Sequence, residues 1–296
     1  MKIRYKEIIV KICYNYKVNK KINVRDWSEI LDNIKISIRS IMIYILIMII
    51  GEIIINSNLI ILDNNLYNLI SISIIQLISS GYLLYIIKKF YIWEDIGFSK
   101  INKKNLIWFV PYIFILIPMI YTFIEGIYKN ISSFDSITWI SIFMILIGTI
   151  TAGFSEEVMF RGMLLNDLKN KISLKNAMII SSLGFSILHI TTIFSGKTLI
   201  EALANVIVSS LLGFSFAPLA IILNNILPLV IFHILWNFII IASSTVGISI
   251  SKVYLFCNPI NIIISIILWI IIIKKQKKSI FTKNKLVLSE KLINSL

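Results

Sequence analysis

The chain has 296 residues, 57% of them hydrophobic, with 29 Lys and Arg against 15 Asp and Glu for a formal net charge of +14 and a mean hydropathy of +0.88. A soluble domain carries nearer ~45–50% apolar residues, and runs that are apolar at every position, such as Ile41 to Ile50 (IMIYILIMII), lack the alternation of a membrane β-barrel; both are excluded, leaving an all-α polytopic membrane protein with about eight transmembrane helices. The basic residues cluster at Lys2–Arg39, Lys88–Lys104, Lys169–Lys175 and Lys274–Lys291, beside the apolar spans, so they read as loop anchors and no nucleic-acid partner is expected.

Residues 1–35 are expected to form a basic cytoplasmic or interfacial segment, with Ile8, Ile9, Ile12 and Tyr16 spaced for one helical face. They are studded with charge and carry no cleavable signal pattern, so span 1 is expected to serve as the insertion signal. Span 1 is placed at Ile36–Ile55 and span 2 at Leu66–Ile87; the linking loop has Asp63 and no basic residue, as suits the outer side. The lysine-rich loop 88–105 belongs inside. Span 3, Leu106–Ile124, contains Pro111 and Pro118 as candidate kinks, and residues 36–136 thus hold the first three spans.

Span 4 starts near Ile137 and runs to about Leu168, too long for one straight crossing at ~1.5 Å per residue, so Gly148 and Gly153 are expected to mark a bend or break. Span 5 follows at Leu174–Phe194 and span 6 at Leu199–Leu223. Asn224-Asn225 forms a turn, and Pro228 opens span 7, which ends near Val246. The last part, 247–296, holds span 8 (Val253–Ile273), which stops at KKQKK, and a basic tail. An even number of spans puts both termini on one side, the cytoplasmic one by charge. Cys13 and Cys257 are too few for a disulfide framework or a thiolate metal cluster.

The stretch Ala152–Leu165, AGFSEEVMFRGMLL, puts Glu156, Glu157 and Arg161 inside a span. Each charge at bilayer depth costs about 2.5–3.5 kcal/mol, so they must pair or be hydrated. Glu157 and Arg161 stand at i and i+4 in the favourable order for an ion pair; Glu156, turned about 100° away, is left to act on a substrate or water. The only histidines, His189 and His233, lie deep in spans 5 and 7. Glu156 and His189 are nearly equidistant from the turn between spans 4 and 5, so an antiparallel hairpin puts them at one level. His233 and Asn237, at i and i+4, offer hydrogen-bond donors from one face. Taken singly, each of these groups also fits interhelical packing or a structural ion network. Together they suit a hydrolytic site in which Glu156, with His189, deprotonates a water while His233 and Asn237 stabilise the oxyanion.

Three elements, EEVMFR (Glu156–Arg161), FSILH (Phe185–His189) and HILWN (His233–Asn237), resemble the EExxxR, FxxxH and HxxxN signatures of the CPBP, or Abi, family, which groups CAAX prenyl proteases of type II with bacteriocin-processing and immunity-associated membrane proteins. The resemblance spans about Gly153–Phe238, within a core of residues 137–246. It implies an intramembrane endopeptidase in which Glu156 and His189 activate water, His233 and Asn237 form the oxyanion site, and Glu157 and Arg161 complete the first motif. It also implies a membrane-associated peptide or protein substrate, prenylated or a leader peptide, in what reads as a bacterial plasma membrane. No cofactor is expected to be required; zinc held by Glu156, His189 and His233 is the alternative, although HExxH spacing is absent. The rival readings are a non-catalytic immunity factor or scaffold of the same family, and an ion-coupled transporter.

Overall fold

The computed structural model describes residues 24–57, 65–101 and 103–294. The described residues are mostly helical, with no strand, and include eight helices long and apolar enough to cross a membrane. In chain order they are α1 (Val24–Asn56), α2 (Asn65–Phe90), α3 (Val110–Asn130, led in by a 3-10 stretch, Lys103–Phe109), α4 (Ser136–Glu157), α5 (Leu165–Lys169), α6 (Leu174–Leu188, prolonged as 3-10 helix over His189–Ile193), α7 (Leu199–Leu223), α8 (Leu227–Thr245) and α9 (Ser251–Asn294). A π-helical segment, Val158–Leu164, joins α4 to α5, so that 136–169 forms one long span.

The ends of these helices are set by local chemistry. Asp135 caps α4 by accepting from the Thr138 amide, Ser173 caps α6, and Thr198 and Glu201 form a reciprocal capping box on α7. α7 ends on Asn224 at φ 52°, a left-handed conformation that Asn tolerates, and Pro228 falls in the first turn of α8, where its missing N–H costs no helical bond.

Two expectations are corrected. The chain does not break at Gly148 or Gly153: α4 is continuous there, and a Cβ on Gly153 would stand 2.8 Å from Ile234 Cγ1 and 3.2 Å from its backbone nitrogen. Gly153 is therefore a close-approach point between α4 and α8, and the irregularity lies further on, in 158–164. The eighth span runs Ser251–Gln276 and so ends within KKQKK, while the helix α9 itself continues to Asn294, because Lys, Gln and Leu are good helix formers and no Gly or Pro follows. Pro111 sits in the first turn of α3, leaving Pro118 as the internal proline. The proposed basic surface helix around Ile8–Tyr16 lies outside the described residues, while the end of that segment is already α1.

α4 packs between α2 and α8, α6 against α7, and α7 against α9. A core of stacked and edge-on rings, Tyr112, Phe216, Phe232 and Trp236, holds α3, α7 and α8 together. The helices turn Ile, Phe and Tyr outward, for example Phe114 and Tyr121 on α3, as lipid requires of a span. At one end, loop 91–99 is laced to the α7–α8 turn by the Ile226 amide on the Gly97 carbonyl (2.9 Å), and to α5 by Asn166 on the Asp95 carbonyl (3.0 Å). At the other, Asn56 at the end of α1 donates to the Phe194 carbonyl (2.6 Å).

Candidate active site

The π-helical turn begins directly after the two glutamates. The Phe160 carbonyl accepts from the Leu165 amide, five residues on, and also from the Ser181 hydroxyl of α6 at 2.7 Å. The widened turn is thus pinned from outside, a device common at functional sites. Arg161 lies within it, fully enclosed, its guanidinium over the Phe185 ring (4.2 Å) and near Phe216 (5.5 Å).

Arg161 Nη1 donates to Glu157 Oε1 at 2.8 Å, and Nη2 approaches the Gly213 carbonyl at 3.4 Å. The same Glu157 oxygen lies 2.9 Å from His233 Nδ1. A carboxylate held by an arginine accepts, so His233 donates to it through Nδ1 and turns Nε2 toward Glu156. That Nε2 stands 3.8 Å from Glu156 Oε2, and His189 Nε2 stands 3.9 Å from the same oxygen. Glu156 Oε2 and His189 Nε2 are buried and have no hydrogen-bond partner within the protein. Phe185 sets both rings, edge-on to His189 at 5.3 Å and to His233 at 5.7 Å.

The structure thus brings together five of the six residues singled out in the sequence: Glu156, Glu157, Arg161, His189 and His233. Asn237 is half-buried one turn along α8 and makes none of these contacts; His233 is engaged by the two glutamates instead of being paired with Asn237.

Sequence reasoning missed a second polar group beside the first. Tyr44 of α1, 1% exposed, donates to Gln76 Oε1 of α2 (3.0 Å) and reaches Ser155, whose hydroxyl lies 2.7 Å from that of Ser80. This network grips α4 at the residue before Glu156. The available signal was Gln76 and Ser80 at i and i+4 in an apolar span.

Among the described residues no group of three His, Cys, Asp or Glu side chains is placed to hold a metal ion. Glu156, His189 and His233 supply suitable donor types, but gaps of 3.8 and 3.9 Å exceed the roughly 3.3 Å edge of a tetrahedron with ~2.0–2.1 Å zinc bonds.

Eight candidate spans around a carboxylate–histidine cluster define an integral membrane protein with a polar site among its helices. Residues 138–239 match the family model described as Type II CAAX prenyl endopeptidase Rce1-like. This is the type II CAAX protease family that the three motifs resemble, and its members are membrane proteases. The match contains all six motif residues and omits α1, α2 and α3. No curated protein and no solved structure matches the chain.

Proposed function

We propose that the protein is an intramembrane endopeptidase of the CAAX prenyl protease type II kind, hydrolysing a peptide bond of a membrane-associated protein or peptide with water activated by Glu156. The observation that carries this is the convergence of Glu156 Oε2 on two imidazole Nε2 atoms at 3.8 and 3.9 Å, gaps that a water molecule bonded to both sides spans at about 2.8 Å each. Glu156 takes one proton as the water oxygen bonds to the scissile carbonyl carbon. As the C–N bond breaks, the same proton passes to the leaving amine. Glu157 and Arg161 hold His233 by its Nδ1, His189 orients the water, and Asn237, one turn along α8 from His233, meets the oxyanion once substrate fills the site. In this reading no metal takes part in the reaction.

The test compares peptide termini in membranes and medium of cells carrying the wild-type chain or Glu156→Gln, at matched protein abundance. A terminus lost only in the variant supports proteolysis and nominates the substrate. Identical termini, with any protective or signalling effect intact, replace this reading with that of a non-catalytic membrane partner.

A further inference from the structure

Asn205 is the only amide side chain in α7, set between the lipid-facing Leu203 and Ile207. Polar side chains in spans hydrogen-bond across helices, and Asn205 Nδ2 donates to Thr192 Oγ1 at 3.3 Å. The Thr192 hydroxyl in turn donates to the His189 carbonyl at 2.9 Å. Two linked bonds thus run from α7 to the backbone of a residue of the cluster.

The two imidazoles are mounted differently. His233 is held by its ring, Nδ1 on Glu157 at 2.9 Å, within the regular helix α8. His189 Nε2 has no hydrogen-bond partner within the protein, and its side chain is 25% exposed against 2% for His233. Phe185 meets the His189 ring edge-on, but the direction in which the ring sets out is fixed by the backbone it leaves. That backbone is where α6 tightens: the His189 amide bonds to the Ser186 carbonyl, three residues back, and 3-10 helix follows to Ile193. Hydrogen bonds in 3-10 helix are poorer than in α-helix and longer runs are uncommon, so a segment of five residues needs support from outside. Asn205 supplies it on the α7 side, and at the far end Asn56 of α1 donates to the Phe194 carbonyl at 2.6 Å.

Helix geometry gives the scale. Each residue turns by about 120° in a 3-10 helix and about 100° in an α-helix. A ring nitrogen ~6 Å from the axis therefore swings by roughly 2 Å if His189 relaxes from one to the other. The gap from His189 Nε2 to Glu156 Oε2 is 3.9 Å, so such a swing destroys a spacing suited to one water. A misplacement of about 1 Å is enough to cost about 10²-fold in rate.

We infer that Asn205, acting through the Thr192 hydroxyl, is a positioning residue for His189: it fixes the start of the 3-10 segment and with it the place of the imidazole opposite Glu156. The coupling from Asn205 to His189 stands on geometry alone; its weight in turnover rests on the proteolytic reading.

The chain has two histidines, so protein labelled in its imidazoles gives two sets of ring signals by magnetic resonance, and His189→Gln assigns them. In the full chain in detergent, Thr192→Val and Asn205→Leu should each move the His189 signals and leave those of His233 in place. Thr192→Ser, which keeps the hydroxyl, should move neither. Unmoved His189 signals in either variant overturn the inference, as does an equal movement of both rings, which marks general loosening. Turnover supplies the second readout. Formation of the peptide terminus that disappears in Glu156→Gln should slow about tenfold or more in Thr192→Val and recover in Thr192→Ser. In a His189→Ala background Thr192→Val should bring less than about twofold further loss, and a further loss of about tenfold there shows an effect that bypasses His189 and overturns the inference. Should one variant fail to accumulate, the other decides. If the wild type forms no such terminus, the proteolytic reading fails while the ring signals still decide the coupling.

Discussion

Glu157→Gln and Glu156→Gln are near-identical chemical changes one residue apart, and the structure assigns them opposite consequences. Glu157 is fully enclosed and holds both Arg161 (2.8 Å) and His233 (2.9 Å). Removing its charge strands an arginine that is itself 1% exposed, and breaking a buried pair from one side costs ~3–5 kcal/mol. At roughly 2–4 °C per kcal/mol, the unfolding midpoint in detergent should fall by roughly 6–20 °C. Glu156 Oε2 has no hydrogen-bond partner to lose, so Glu156→Gln should stay within about 1 kcal/mol of the wild type, or gain. Its cleavage rate should nevertheless drop by about 10²–10⁴, the usual worth of a general base. Thermal unfolding of the purified variants, read beside single-turnover cleavage, separates the two effects. The double variant Glu157→Gln/Arg161→Met should recover much of the lost stability, since a buried pair replaced on both sides is often neutral. A Glu157→Gln protein as stable as wild type, or a double variant no better than the single, would refute the assignment.

Asn237 forms no hydrogen bond or ion pair with the five clustered side chains, so Asn237→Ala should leave stability within about 0.5 kcal/mol while lowering the cleavage rate about 10²–10³-fold, as loss of an oxyanion donor does; an unchanged rate removes Asn237 from the reaction. Gly153→Val should push α8 off α4 at Ile234, costing ~1–3 kcal/mol by overpacking and lengthening the Glu157–His233 contact. The check is a fall in both melting temperature and activity, and a fully active Gly153→Val would show that the approach is slack. Asp135, outside the spans, has its carboxyl held below the usual range by the Thr138 hydroxyl and amide. A lowered folded-state pKa adds stability that is present above the unfolded value and lost as pH falls through the folded one. Hydrogen exchange in the first turn of α4 should therefore quicken only at strongly acidic pH, and Asp135→Ala should be fast and flat across that range.

The spans were legible because uninterrupted apolar runs admit one structural answer in a bilayer, and the Glu157–Arg161 pair because helical phase alone puts i and i+4 side by side. Equal distance from one turn was enough to align Glu156 with His189. No such mirror exists for His233, which lies across the intervening α7, so its grip by Glu157 depended on how α8 approaches α4. That approach is governed by Gly153, whose role as a contact cannot be told from a break by composition. The π-helical turn had no sequence signal either, since it arises from a Ser181 hydroxyl on another helix holding the Phe160 carbonyl. Tyr44, Gln76 and Ser80 were hidden for a similar reason: polar residues scattered in a span declare that they need partners without naming them.

In the proposed reaction, the charge balance of the cluster favours Glu156 as the base. Glu157 and Arg161 pair at 2.8 Å, and Glu157 holds the His233 ring through Nδ1. The charge that acts in that reaction is that of Glu156, whose Oε2 stands between two imidazole nitrogens. When Glu156 takes the proton of an attacking water, that charge moves a few ångströms onto the carbonyl oxygen and no additional charge is created. In a low-dielectric setting the costly step would be to bury a new ion; shifting an existing one within a fixed ring of dipoles avoids that cost. The ring is fixed partly from outside the matched 138–239 stretch, because Tyr44 and Ser80 hold α4 at Ser155. Residues of α1 and α2 therefore support the proposed site, and a fragment restricted to the matched region would keep the two glutamates while losing that hold on α4.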